Sequence, residues 1–158
     1  MSQWRYYNPV DVRFGPDVLA QVGAAIGSRR WILVTHPDAP MMVWRNKLLA
    51  SSPAPLMVLD AIEPNPSLAM LDALCAGLAD VADQVEVIVA LGGGSVMDTA
   101  KFLAAGHGQY APVKAYLEGE AALEQSALPI IAIPTTAGTG SELTKWATIW
   151  DPAQGRKL

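Results

Sequence analysis

Apolar positions along this chain fall into short blocks separated by polar turns, and the blocks alternate between two kinds of pattern. Trp31 to Thr35 is a compact apolar run closed by His36-Pro37-Asp38, Leu56 to Leu59 is a second run ended by Glu63-Pro64-Asn65-Pro66, and Val85 to Leu91 is a third, rich in β-branched residues. Runs of this length bounded by turn residues predict buried strands. Between them lie segments with helical spacing. Leu68, Leu71, Cys75, Leu78 and Ala82 share one helical face, with Ser67 placed to cap the first turn. Further helices are predicted from Asp17, as N-cap, to about Ile26, over Met41 to Ala50, and over Ser95 to Ala105. Ile130 to Pro134 reads as another strand.

Strand and helix in alternation predict an α/β fold, a Rossmann-like parallel sheet with flanking helices. Two stretches depart from that rhythm. Val10 to Phe14 reads as a short extended run before the Gly15-Pro16 turn, and Thr144 to Asp151 as an extended segment followed by a turn at Pro152 and Gly155. The chain then ends at Leu158, which predicts a truncated β-hairpin at the C-terminal end with no room for its return strand. Residues 1–158 are accordingly expected to be one dinucleotide-binding domain, and the absence of any linker or repeat predicts that further domain structure lies downstream.

Composition narrows the function. An apolar fraction of 51% with 16% charged residues is that of a globular domain. A net charge of -4, with no basic run, argues against a nucleic-acid surface. No stretch approaches the length of a membrane span, and no signal-like start is present. The single cysteine, Cys75, cannot form an internal disulfide, so a cytoplasmic location is expected. A half-domain of this kind would expose apolar surface, which predicts self-association and a homo-oligomer.

The richest chemistry lies in Leu91-Gly92-Gly93-Gly94-Ser95, where a buried strand enters a glycine turn and a helix leaves it. Glycine lets backbone N–H groups approach a ligand closely, and a helix N-terminus attracts an anion, so a pyrophosphate suits the turn. Gly92 and Gly94 match two glycines of G-x-G-x-x-G, but Met97 stands at the third position, and the Gly-Lys-Ser/Thr of a Walker loop is absent. A turn that only reverses the chain is the competing reading. A second polar loop, Pro134-Thr135-Thr136-Ala137-Gly138-Thr139-Gly140-Ser141-Glu142, also follows an apolar strand, and two such loops point to one shared cleft. Lys101 is assigned no ligand.

Together, Gly92-Gly93-Gly94-Ser95-x-x-Asp98-x-Ala100-Lys101 and Pro134 to Glu142 resemble the two signature segments of the iron-containing (group III) alcohol dehydrogenases. Phe14-Gly15-Pro16 and Pro64-Asn65-Pro66 resemble earlier landmarks of that family. The resemblance implies NAD or NADP as cofactor and hydride transfer between it and a small alcohol or aldehyde. It places Gly93, Gly94, Ser95 and Asp98 along the pyrophosphate and nicotinamide side. Thr135, Thr136 and Thr139 would contact the adenosine and phosphate region, Thr144 and Lys157 would lie nearer the ribose, and Asn65 would sit close to the cofactor.

The same resemblance implies a catalytic Fe or Zn held in a helical domain that follows, so this half carries no catalytic or metal-ligating residues of its own. His36 and His107 lie far apart in sequence and read as loop histidines, and Cys75 as a core thiol. Many NAD-using members carry Asp where this chain has His36, so little discrimination between NAD and NADP is expected, although Asp38 follows two residues on. Trp146 to Asp151 faintly resembles a branch acting on phosphonoacetaldehyde. The alternatives are an enzyme similar to glycerol dehydrogenase or dehydroquinate synthase, and a nucleotide-binding module without catalysis.

Overall fold

A computed structural model describes residues 3, 5 and 7–158 of the chain. Its centre is a four-stranded parallel sheet built from β1 (Trp31–Thr35), β2 (Met57–Leu59), β3 (Val87–Gly92) and β4 (Ile130–Pro134), in the order β2-β1-β3-β4. The register pairs Val34 with Leu59 and Ala90, and Gly92 with Pro134, so the strands finish nearly level. β1 and β3 are buried along their whole length, which is why they read as unbroken apolar runs.

Successive side chains of each strand point to opposite faces, and each face has its own core. Trp31, Leu33, Val87 and Val89 pack against Val22 and Ile26 of α1 (Val22–Ile26) and Leu48 of α2 (Ala39–Ala50). Ile32, Val34, Ile88 and Ala90 face α3 (Leu68–Leu78), α4 (Gly94–Ala105) and α5 (Tyr110–Leu117). The chain steps from β1 outward to β2, then crosses under α3 to β3 on the other side. The strand order therefore reverses between β1 and β3, and the crevice beyond their carboxyl ends is where open α/β sheets receive ligands.

Ser67 caps α3 as its sequence predicts, its hydroxyl accepting from the Met70 N–H at 3.2 Å. Other expectations are corrected. α3 stops at Leu78, and Ala82 belongs to a separate 3-10 turn over Ala82–Gln84 that still packs on the core. Asp17 caps nothing: it takes a left-handed backbone (φ 58°) and opens a 3-10 turn over Val18–Gln21 ahead of α1. Val10 to Phe14 lies in no strand, because no neighbouring strand offers it a ladder, and Phe14 is fully exposed. α5 went unforeseen, since Val113 is the one residue it buries and its periodicity is correspondingly faint.

The C-terminal hairpin is present as a short antiparallel pair, and a two-residue return strand does form where the sequence predicted no room for one. β5 (Trp150–Asp151) pairs antiparallel with β6 (Arg156–Lys157). So short a hairpin holds because it is docked. Ile149 is buried and exchanges both backbone bonds with Leu158, the Trp150 N–H donates to the Pro66 carbonyl at 2.9 Å, and Arg156 pairs with Asp151 at 3.1 Å. The rest of the predicted extended stretch, from Thr144 to Thr148, forms no strand. No helix among the described residues is long and apolar enough to cross a membrane.

Candidate functional site: a cleft at the carboxyl edge of the sheet

β3 runs through Gly92, and α4 begins at Gly94 with Gly93 as its N-cap. One residue therefore turns a central strand into a helix, leaving the first N–H groups of α4 without partners inside the helix and aimed at the crevice. Side chains would crowd this turn. A Cβ on Gly92 would lie 2.6 Å from Cγ2 of Val96, one on Gly93 would lie 3.0 Å from the Thr136 hydroxyl oxygen, and one on Gly94 would lie 3.0 Å from Thr139.

The second and third of those contacts show that the two polar loops, well separated in sequence, form one surface. Beneath them the Thr135 N–H donates to the Gly92 carbonyl at 3.0 Å, which continues the β3–β4 ladder into the loops. A third loop joins from the β2 side. Asn65 takes a left-handed backbone (φ 60°), and its N–H donates to the Ser95 hydroxyl at 3.0 Å. Ser95 therefore neither caps α4 nor stands free; it accepts from the loop that the Pro64-Asn65-Pro66 landmark predicted to be near.

Of the residues singled out from sequence, the structure gathers Asn65, Gly93, Gly94, Ser95, Thr135, Thr136 and Thr139 around the start of α4. Lys157 stands on β6, its ammonium 4.3 Å from the centre of the Trp150 ring, and Trp150 is hydrogen-bonded to Pro66 beside Asn65. Asp98 and Thr144 are engaged by the protein itself. Asp98 accepts from the Ser141 hydroxyl at 2.8 Å and from the Thr148 N–H at 3.1 Å. Thr144 Oγ1 accepts from Lys101 Nζ at 3.3 Å.

Lys101, which the sequence reading leaves without a ligand, and Ser141, named there only as part of the second loop, complete this arrangement. Lys101 Nζ donates to Ser141 Oγ at 2.7 Å and also to the Trp146 carbonyl, and it lies 3.8 Å from the Asp98 carboxylate. Desolvation by burial holds its ammonium below the ordinary lysine pKa, with Asp98 and then Glu142 pulling the other way. The signal available in sequence was the Asp98/Lys101 pair at i, i+3, one helical neighbour apart; its partners lie some forty residues downstream.

On the β1–β2 side the crevice widens into a cleft of about 510 Å³ lined by His36, Asp38, Ile62 and Glu63, among others. His36 Nδ1 lies 2.8 Å from the Ile62 carbonyl, so the proton sits on Nδ1. His107 is likewise tied to a carbonyl, that of Ser126 at 2.9 Å. Burial, followed by the nearby Asp72 carboxylate, pushes the Cys75 thiol up to about 12. It is an inert core thiol. Among the described residues no three of His, Cys, Asp and Glu converge to hold a metal ion.

Comparison with known proteins places this architecture. Residues 9–158 match the family described as iron-containing alcohol dehydrogenase. The chain belongs to that family. Choline dehydrogenase of Bacillus subtilis is 31% identical over 151 residues, covering 90% of this chain and 37% of that protein. Phosphonoacetaldehyde reductase of Streptomyces viridochromogenes is 45% identical over 83 residues, covering 49% of this chain and 21% of the relative. Among solved structures, sulfoacetaldehyde reductase of Bifidobacterium kashiwanohense in complex with NAD+ superposes with a TM-score of 0.84 at 32% identity, covering 99% of this chain and 42% of that one. This iron-containing alcohol dehydrogenase chain thus spans about two fifths of the length of relatives it matches from end to end.

Proposed function

We propose that the chain is the dinucleotide-binding part of an NAD(P)-dependent alcohol dehydrogenase or aldehyde reductase. The observation that carries this is the convergence of three loops on the first turn of α4, through the Gly93–Thr136, Gly94–Thr139 and Asn65–Ser95 approaches. In this reading the N–H groups at the start of α4 receive the pyrophosphate, and the glycines admit it to backbone distance. Thr136 and Thr139 offer hydroxyl donors beside it, and Asn65 and Lys157 border the remainder of the cofactor. The bound nicotinamide would supply the hydride; the chain's part is to hold it at one face of the substrate carbon.

Asp38 and Glu63 line the β1–β2 cleft together with His36, and no lysine or arginine lines it. Carboxylates there accept from a free ribose 2′-hydroxyl and repel a 2′-phosphate, which favours NAD over NADP. This departs from the expectation of little discrimination that His36 suggested, and gives Asp38 the role left open there. The substrate class is a short alcohol or aldehyde. An anionic aldehyde such as phosphonoacetaldehyde is a specific candidate, because the relative named for it shares 45% identity over 83 residues.

Among the described residues no cluster of His, Cys, Asp and Glu fits a metal ion, so no step is routed through Fe or Zn on this chain. The metal is assigned to a helical domain outside this sequence, and the complete enzyme to the cytoplasm as a homo-oligomer. Resonance mapping with NADH tests the site: amide shifts are expected to concentrate at Gly93, Gly94, Ser95, Thr136 and Thr139. Shifts confined to other surfaces would overturn it. The chain by itself is expected to oxidise no NADH with short aldehydes, even with Fe or Zn added; metal-dependent turnover would contradict the division of labour.

A further inference from the structure

Two side chains on one face of α4 grip the whole segment that follows the second polar loop. Asp98 takes the Ser141 hydroxyl and the Thr148 N–H, while Lys101 reaches Ser141, Thr144 and the Trp146 carbonyl. Ser141 is 5% exposed and sits between the two charges, its hydroxyl donating to Asp98 and accepting from Lys101. The Asp98 and Lys101 side chains are 16% and 15% exposed. Thr144 to Thr148 forms no strand or helix that could hold it in place. Beside the packing of Ala147 on the core, this network supplies its side-chain attachments to α4.

The segment matters because it continues from Thr139, whose side chain packs at the Gly94 position. Thr139 Oγ1 also accepts from the Ser141 N–H at 3.3 Å, so a shift of Ser141 is passed directly to the hydroxyl beside the glycine turn. We infer that Lys101, with Asp98 and Ser141, is a positioning residue: it clamps residues 139–148 to α4 and so sets the affinity of the cleft for a dinucleotide without touching it. The inference rests on the dinucleotide reading above.

The test combines two readouts on the full chain, NADH affinity by fluorescence titration and amide exchange at Thr148, for Lys101→Met, Lys101→Arg and Ser141→Ala. Removing charge-assisted hydrogen bonds at Lys101 is expected to weaken NADH binding about tenfold and to speed Thr148 exchange by a similar factor. Ser141→Ala moves both readouts in the same direction by less, and it serves if Lys101→Met fails to fold. Lys101→Arg, which keeps the charge and several donors, is expected to restore most of both.

Weakened binding with unchanged Thr148 exchange would mean that Lys101 touches the cofactor, overturning the positioning role. Faster exchange with unchanged affinity would overturn the link to binding. If the unmodified chain binds no NADH, the dinucleotide reading itself fails, and Thr148 exchange in Lys101→Met still decides whether the clamp exists.

Discussion

Helices α2 and α4 are both 12 residues long, and each leaves the carboxyl end of a central strand, β1 and β3 respectively. They differ in nearly everything else. α4 buries seven residues, including Met97, Phe102 and Leu103, and presents its polar remainder to the second loop. α2 buries Leu48 alone and leaves Met42, Val43 and Trp44 about half exposed. The entries differ as well. β3 passes into α4 through a glycine N-cap, so backbone faces the crevice; β1 passes into α2 through His36-Pro37-Asp38, so side chains do. An anion at a helix start needs backbone N–H groups it can approach closely, and of the two helices α4 offers the bare glycine approach and the well-buried body.

Stability measurements offer the hardest way to break this contrast. Leu103→Ala, at a position with no exposed surface, is expected to cost about 2–5 kcal/mol in denaturant unfolding. Val43→Ala, at a half-exposed position of α2, should fall within about 0.5 kcal/mol of the parent. Equal losses would erase the distinction between the two helices. Gly92→Ala comes next: its Cβ would press on the branched Val96 side chain, and the resulting overpacking is expected to cost roughly 1–3 kcal/mol.

A smaller effect sharpens the picture of the core on the α4 face. Folding raises the Cys75 pKa from 9.0 to about 12, so the folded state holds that proton more tightly than the unfolded one. The contribution is fully present below pH 9 and is lost as pH rises toward 12. Cys75→Ser should flatten this alkaline decline, although it also lowers stability at neutral pH. An unaltered slope would show that the thiol is not the group responsible.

The strands and the glycine turn were legible in the sequence because their causes are local. A buried parallel strand needs a continuous apolar run, as in Val87 to Leu91, and a strand entering a helix against a ligand needs glycine. The residues that converge on α4 were legible as two motifs, but their contact across Gly93–Thr136 and Gly94–Thr139 comes from strand order, which no local pattern states. Lys101 was passed over for the same reason. Its charge is visible, but whether it meets solvent, cofactor or Ser141 depends on where β4 delivers the loop. The hairpin was legible as an extended segment and a turn, but its return strand was not, because the contacts that dock it involve Pro66 and Ile149, outside the strands themselves.

Calorimetric titration with NADH and NADPH, on the chain and on Gly94→Asp, tests the central claim most directly. A carboxylate at Gly94 would crowd Thr139 and repel a pyrophosphate at the start of α4. The account predicts measurable binding, tighter for NADH than for NADPH, and its loss in the variant while the fold is retained. Absence of heat with either dinucleotide, or undiminished binding by Gly94→Asp, would contradict it.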